Sequence, residues 1–291
     1  MKTQSPDTSI EAERVLVEII RRASVSKRFQ LVQSMTRSTF LANMYAWRES
    51  HSEANEGDVA THFVAMSYGP RLAERFQATL VNYRDWHLQP VHLLVVVDEI
   101  IQKLRELNIS WYLGGSVASS LYGMQQLAQD IDLVVDLLPQ KTASFEASIA
   151  SLKPHFAFEE QAVHQALLQH TAIALLHMDT AMKVDLIIGK HEMSFLSRDN
   201  ELCTMELDEN HQEVPVASVY EMILFKLYRY HLNELSRQDG MTDDMQWNDI
   251  LGMLKVQGPA LDLSLLEQEV KHLSLEHIWD LVLIDAGLRK G

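Results

Sequence analysis

WYLGGSVASSLYGMQQLAQDIDLVVDL, residues 111 to 137, decides the fold and gathers most of the chain's readable chemistry. The apolar run ISWYL reads as a strand that ends at Gly114-Gly115, and a helix of small residues opens at Ser116. A strand that hands over to a helix through two glycines sets bare backbone N–H groups and the positive end of a helix dipole at one point, which is a seat for an anion. Glycine lets a phosphate oxygen approach the backbone, and Ser116 brings a hydroxyl able to cap the helix or to donate. Gly-Gly before a helix is equally an ordinary tight turn, so this motif alone decides nothing. The strand DIDLVVDL adds the second half. Residues two apart on a strand share a face, so Asp130 and Asp132 project together while Ile131, Leu133 and Val135 face a core. Paired carboxylates repel unless water or a divalent cation lies between them, and an all-oxygen ligand set suits magnesium or manganese. Asp136 shares their face further along and reads as a solvated strand end.

A third acid lies in MKVDLIIG, residues 182–189, where Val184, Leu186 and Ile188 supply the buried face and Asp185 shares the other with Lys183. A carboxylate in so apolar a strand is costly unless paired, bound to a metal or turned to water at a sheet edge. An anion seat, a carboxylate pair and a lone carboxylate on a neighbouring strand are the parts that metal-dependent nucleotidyl transfer requires.

Working outward, the segment before the quoted stretch is helical. Thr8 and Glu11 form a capping-box pattern ahead of ERVLVEIIRR, KRFQLVQSMTRSTFLANMYAW repeats apolar residues at helical spacing, and Gly69-Pro70 ends one helix and begins another. The seam is expected at RDWHLQP, with Pro90 opening the helix VHLLVVVDEIIQKLRELN that closes at Asn108. After the acidic strand come helices around TASFEASIASL and EEQAVHQALLQ, then the strands TAIALLHM and MKVDLIIG joined by a DTA turn. ELCTMEL and QEVPVA read as short strands, and everything from Ser218 onward reads as helix. The expected domains are 1–88 (helical), 89–216 (mixed α/β core) and 217–291 (helical).

Taken together, Gly114, Gly115, Ser116, Asp130, Asp132 and Asp185 resemble the signature of the DNA polymerase β-like nucleotidyltransferase superfamily: Gly-Gly or Gly-Ser, a short helix, Asp-x-Asp and a later third Asp. The branch it looks like is a bacterial group related to the toxin half of abortive-infection toxin–antitoxin pairs. That likeness extends through VPVASVYEMILFKLYRY and QWNDILGMLKVQG, covering roughly residues 90 to 290. The resemblance implies an α+β fold with a mixed-sheet core flanked by helical segments. It implies Mg²⁺ or Mn²⁺ on Asp130, Asp132 and Asp185, and a nucleoside triphosphate on Gly114, Gly115, Ser116, Lys183 and Lys226, with Asp249 as a helical support. The acceptor stays open between a tRNA end, a protein side chain and a small molecule; an antitoxin partner, or self-association through the N-terminal helices, is also implied. One departure is visible. Where the branch carries Arg and Thr ahead of the Asp pair, the run GMQQLAQD has Gln126 and Ala128, which leaves open a protein that keeps the fold and binds a nucleotide or partner without turnover.

Composition bounds the remaining choices. In 291 residues, 40 acidic against 25 basic side chains give a net charge of −15, with the first 90 residues near neutral, so extended nucleic-acid binding starts at a disadvantage. Neither a membrane-spanning run nor a signal-peptide core is apparent, and the cytoplasm is the expected location. A single cysteine, Cys203, rules out an internal disulfide. GGSVA could pass for a nucleophile elbow, with Ser116 as nucleophile and His272 as base, but Ala118 replaces the last glycine. No GxGxxG, Walker A or HExxH run occurs, and the thirteen histidines lack metal-ligand spacing.

Overall fold

A computed structural model of the chain describes residues 1–82, 92–153, 155–189, 202–207, 213–236 and 244–290. Its elements, in chain order, are α1 (Ile10–Arg22), α2 (Val25–Ser50), α3 (Glu56–Tyr68), α4 (Pro70–Asn82), α5 (Leu93–Glu106), β1 (Ser110–Leu113), α6 (Gly115–Tyr122), β2 (Asp130–Asp136), α7 (Thr142–Ala150), β3 (Phe156–Ala157), α8 (Glu160–Gln169), β4 (Ala172–His177), β5 (Lys183–Gly189), β6 (Cys203–Glu206), β7 (Glu213–Val216), α9 (Val219–Ser236), α10 (Asp244–Gln257), α11 (Leu263–His272) and α12 (Glu276–Ala286). The architecture is α+β with a mixed sheet, as expected. The RDWHLQP seam and Pro90 lie outside the described residues. No described helix is long and apolar enough to cross a membrane.

The chain groups into two compact units. One joins Val32–Leu113 to Leu127–His191. Its strands run in the order β3-β4-β5-β2-β1. β2 and β5 are parallel, and the remaining neighbours in this run are antiparallel. A parallel neighbour demands a crossover. Here α7, β3, α8 and β4 all lie between β2 and β5 in the chain. Strict alternation in β2 and β5 buries Ile131, Leu133, Val135, Val184, Leu186 and Ile188 on one face and leaves Asp130, Asp132, Lys183 and Asp185 half-buried on the other. α5 presents Leu93, Val97, Ile100, Ile101 and Leu104 to the core and packs on β1 and α7. α3 starts in a full capping box, Asn55 with Asp58, and stops at Gly69, whose φ of 93° few side chains tolerate, before Pro70 opens α4. Bonds from these early helices reach the rest of the unit: Gln33 Oε1 accepts the Leu93 N–H at 3.1 Å and Thr36 Oγ1 accepts the Ala128 N–H at 3.1 Å.

His177, at the end of β4, carries a prediction. Its Nδ1 lies 2.9 Å from Thr180 Oγ1, which itself accepts the Met182 N–H. Thr180 can therefore donate to Nδ1, an arrangement that suits a neutral imidazole. Burial holds His177 below its ordinary 6.5, against the pull of Asp179 and Glu99 and with that of His155. A histidine depressed on folding contributes stability that is complete above pH 6.5 and lost as pH falls through the folded value. The urea midpoint of the wild type should therefore drop more steeply below that pH than the midpoint of His177→Asn; parallel curves would remove His177 as the cause.

The other unit joins Met1–Leu31, Gly114–Gln126 and Glu192–Gly291. α1 is capped by Ser9 Oγ, one residue later than the Thr8 pattern suggests, because Ser9 is the residue that accepts the Ala12 N–H. Its inner side meets α10: Val17 and Ile20 pack on Val256, and Arg21 donates to the carbonyls of Val256 and Lys255 at 3.0 and 2.7 Å. A cation on the last carbonyls of α10 answers the negative end of that helix. Lys255 turns inward to Glu13 and to the Lys2 carbonyl, almost fully buried. β6 and β7 form an antiparallel pair.

α6 is held at its C-terminal end by several elements of this unit. Arg28 Nη1 donates to Leu121 O at 2.6 Å, Gln257 Nε2 to Tyr122 O at 2.7 Å, and Tyr122 Oη to Ala217 O at 2.8 Å. Gly123 ends α6 so close to α10 that an added Cβ would lie 2.7 Å from Met253 N and 2.9 Å from the Gly252 carbonyl carbon, neither of which can swing aside. Gly123→Ala should cost about 1–3 kcal/mol through forced separation of the two helices, read as a lowered urea midpoint at unchanged slope.

Candidate active site

β2 and β5 lie side by side in a register that pairs Asp132 with Asp185 and Asp130 with Lys183. Adjacent strands are about 4.8 Å apart and partners in register project from the same face, so three carboxylates and one ammonium share a small patch of sheet. Lys183 Nζ is 2.9 Å from Asp130 Oδ2 and 2.8 Å from Asp185 Oδ2. All three side chains are partly buried, with 19%, 27% and 18% exposed for Lys183, Asp130 and Asp185. Burial alone would lower the Lys183 ammonium, but Asp185 and Asp130 outweigh it and hold the group well above its usual range, firmly charged. Asp185 moves up, because burial outweighs the one ammonium it shares with Asp130. Val134 and Ile187 continue the same face.

Tyr68, at the end of α3, closes over this patch. Its hydroxyl accepts the Lys183 backbone N–H at 3.1 Å, and Lys183 Nζ stands 5.8 Å from the ring centroid. That is within reach of a cation–π attraction. Burial drives the phenol upward, so it stays neutral. No sequence signal marks Tyr68, since its partner lies 115 residues away.

The glycine turn belongs to the unit that holds α1, α9 and α10. Gly114 is the N-cap of α6 with no side chain to offer, and Gly115 takes φ +60°, a conformation that costs other residues about 1–2 kcal/mol. Ser116 is therefore the second residue of the helix and not its cap. Its Oγ is shielded from solvent and has no hydrogen-bond partner among the described residues. An orphaned buried hydroxyl at the positive end of a helix suits an anionic ligand. One turn on, Ser119 Oγ lies 3.3 Å from Asp249 Oδ2, and Asp249 is bound to Lys226 Nζ at 2.6 Å. Lys226 and Asp249, from α9 and α10, are 6% and 3% exposed. The Lys226 ammonium is thus engaged inside the helical unit, where through Asp249 and Ser119 it fixes α6. The pairing of these two residues, and the part of Ser119, were not legible in the sequence.

The departure at Ala128 also has a local explanation. Ala128 is fully buried, and its N–H is satisfied by Thr36; Gln126 donates its N–H to Ser120 Oγ at 3.2 Å. Both positions serve the backbone path from α6 to β2.

Oxygen-only donors on one face fit a hard divalent cation in kind. As they stand, no three carboxylate, imidazole or thiolate groups among the described residues are arranged to hold a metal ion, and Lys183 already bonds two of the three acids.

No protein-family model matches the chain, and no curated protein does. Among solved structures the chain is similar to an antigenic nucleotidyltransferase-like protein from Paracoccidioides brasiliensis, with 19% identity over 66% of this chain and 90% of that one and a TM-score of 0.43. It is also similar to the antibiotic-resistance factor ANT(2'')-Ia, with 14% identity over 64% of this chain and 96% of that one and a TM-score of 0.38. Scores this low decide neither fold nor activity.

Proposed function

We propose that the chain is a nucleotidyltransferase that moves a nucleoside monophosphate from a nucleoside triphosphate to an acceptor hydroxyl. The observation that carries this is the register of β2 on β5, which sets Asp132 beside Asp185 and Asp130 beside Lys183 on one half-buried face. Coulomb repulsion between carboxylates about 5 Å apart, the spacing of adjacent strands, is about 3 kcal/mol at an effective dielectric of about 20, which supports a ligand role for the neighbours Asp132 and Asp185. Asp130, Asp132 and Asp185 would hold Mg²⁺ or Mn²⁺, which when bound neutralises charge on the phosphates.

The chain's own residues supply the rest. The N–H groups of the Gly114-Gly115-Ser116 turn and the orphaned Ser116 hydroxyl donate to phosphate oxygens. Asp185, whose proton affinity burial raises, takes the proton of the attacking hydroxyl as its oxygen bonds to the α-phosphorus and pyrophosphate leaves. Lys183 offers a cation to the departing phosphates. Lys226 is assigned a contact to the triphosphate by the resemblance, and its bond to Asp249 supports a second role in positioning α6.

The acceptor belongs to the hydroxyl class shared by tRNA ends, protein side chains and small molecules, and the net charge of −15 favours the last two. In the same proposal residues 1–88 form a helical domain that meets an antitoxin or a second copy, 89–216 form the transferase core, 217–291 support it, and the protein works in the cytoplasm. Incubation with each of the four labelled nucleoside triphosphates, a divalent cation and cell extract tests the reading against Asp130→Asn/Asp132→Asn. Label transferred equally by the variant, or by neither protein, counts against it. A second reading, nucleotide or partner binding without turnover, is favoured by Lys183 bridging two of the acids and by Gln126 and Ala128; tight nucleotide binding without transfer would establish it.

A further inference from the structure

We infer that Lys183 is a built-in occupant of the cation position between Asp130 and Asp185, so that its ammonium and a divalent metal ion exclude each other there. This rests on the metal-dependent reading above. Lys183 Nζ bonds the Oδ2 atoms of both acids, 2.9 and 2.8 Å away. A magnesium ion ligated by those same oxygens would sit about 2.0–2.1 Å from them. That point and the ammonium are too close together for two positive centres to share. Nor is Lys183 there by accident of a floppy side chain. The register fixes its Cα opposite Asp130, Tyr68 Oη ties down its backbone N–H, and the Tyr68 ring lies 5.8 Å from the charge.

The stem of a lysine has four rotatable carbons, so the head can leave while the backbone stays. Leaving is unfavourable unless a new anion receives the ammonium, and the phosphates of an incoming nucleotide are such an anion. Lys183 therefore couples metal entry to nucleotide entry: without nucleotide the acids are neutralised internally and the metal is held off. With nucleotide the phosphates would receive the Lys183 ammonium, and Asp130 and Asp185 would then be free to hold a divalent ion.

The test uses the full chain and Mn²⁺ as the probe, with bound and free ion distinguished by electron paramagnetic resonance. Without nucleotide, Lys183→Met and Lys183→Gln should bind Mn²⁺ about tenfold or more tightly than the wild type, and adding Asp130→Asn to either should abolish the gain. In the wild type, pulse acylation mapped by peptide mass should show Lys183 protected without metal and labelled faster at saturating Mn²⁺. This second measurement decides the matter if neither variant folds. Equal Mn²⁺ affinity in wild type and variants, with Asp130→Asn weakening both, overturns the exclusion and leaves the metal site standing. Weaker binding in the variants overturns it too, by making Lys183 a helper. An absence of Mn²⁺ binding in every form removes this inference together with the metal-dependent reading, and acylation of Lys183 that ignores Mn²⁺ removes the inference alone.

Discussion

Asparagine at both Asp130 and Asp132 is expected to lower label transfer by about a thousandfold or more while leaving the melting temperature within a few degrees of wild type. The first half follows from charge. A single misplaced donor in a preorganised site costs about 10²–10³ in rate, and this change removes two of the three carboxylates that the proposal gives to the metal. The second half follows from shape. Asparagine matches aspartate in volume, the buried face of β2 is untouched, and Lys183 keeps its bond to Asp185. Activity measured on the variant at matched secondary-structure content separates the two halves. Loss of transfer accompanied by loss of fold would make the acids structural supports, and wild-type transfer would end the proposal.

The second large effect is on stability. Lys226→Met should destabilise the protein by about 3–5 kcal/mol, because it removes the ammonium from a carboxylate, that of Asp249, buried to 3% exposure. Exchanging both partners, Lys226→Met with Asp249→Leu, should recover most of that loss, since a buried ion pair replaced by apolar groups of similar volume is often neutral. Urea midpoints of the two single variants and the double variant close the cycle. The single variant should also loosen α6 through Ser119, so any transfer activity should fall more than the loss of folded protein explains. If the double variant recovers stability without activity, the pair positions the glycine turn; if it recovers both, the pair is packing alone.

How much of this was legible in the sequence depended on distance along the chain. Period-two alternation in DIDLVVD and KVDLIIG assigned the face of every residue in β2 and β5, and glycine with proline punctuated α3, α4 and α6. The two-residue β3 is too short to leave a pattern. Strand direction and register were not legible, because both are set by the long crossover between β2 and β5. For that reason Lys183 could be placed beside Asp185 on one strand but not recognised as bonded to Asp130 on the next. Tyr68 and Thr36 escaped entirely. Each acts on a backbone N–H of a distant segment, and such a partner leaves no trace in local composition. Lys226 and Asp249 stood out singly through resemblance, while their bond is a product of helix packing.

The buried alanine at the entrance to β2 has a consequence for how such a chain can change over time. Thr36 already occupies the donor of Ala128, and the methyl group there is shielded from solvent. Putting a threonine at 128 adds bulk and a competing hydroxyl at once, so one exchange by itself damages the loop before it can contribute anything to a ligand. The effect of a substitution at 128 is therefore conditional on the residue at 36.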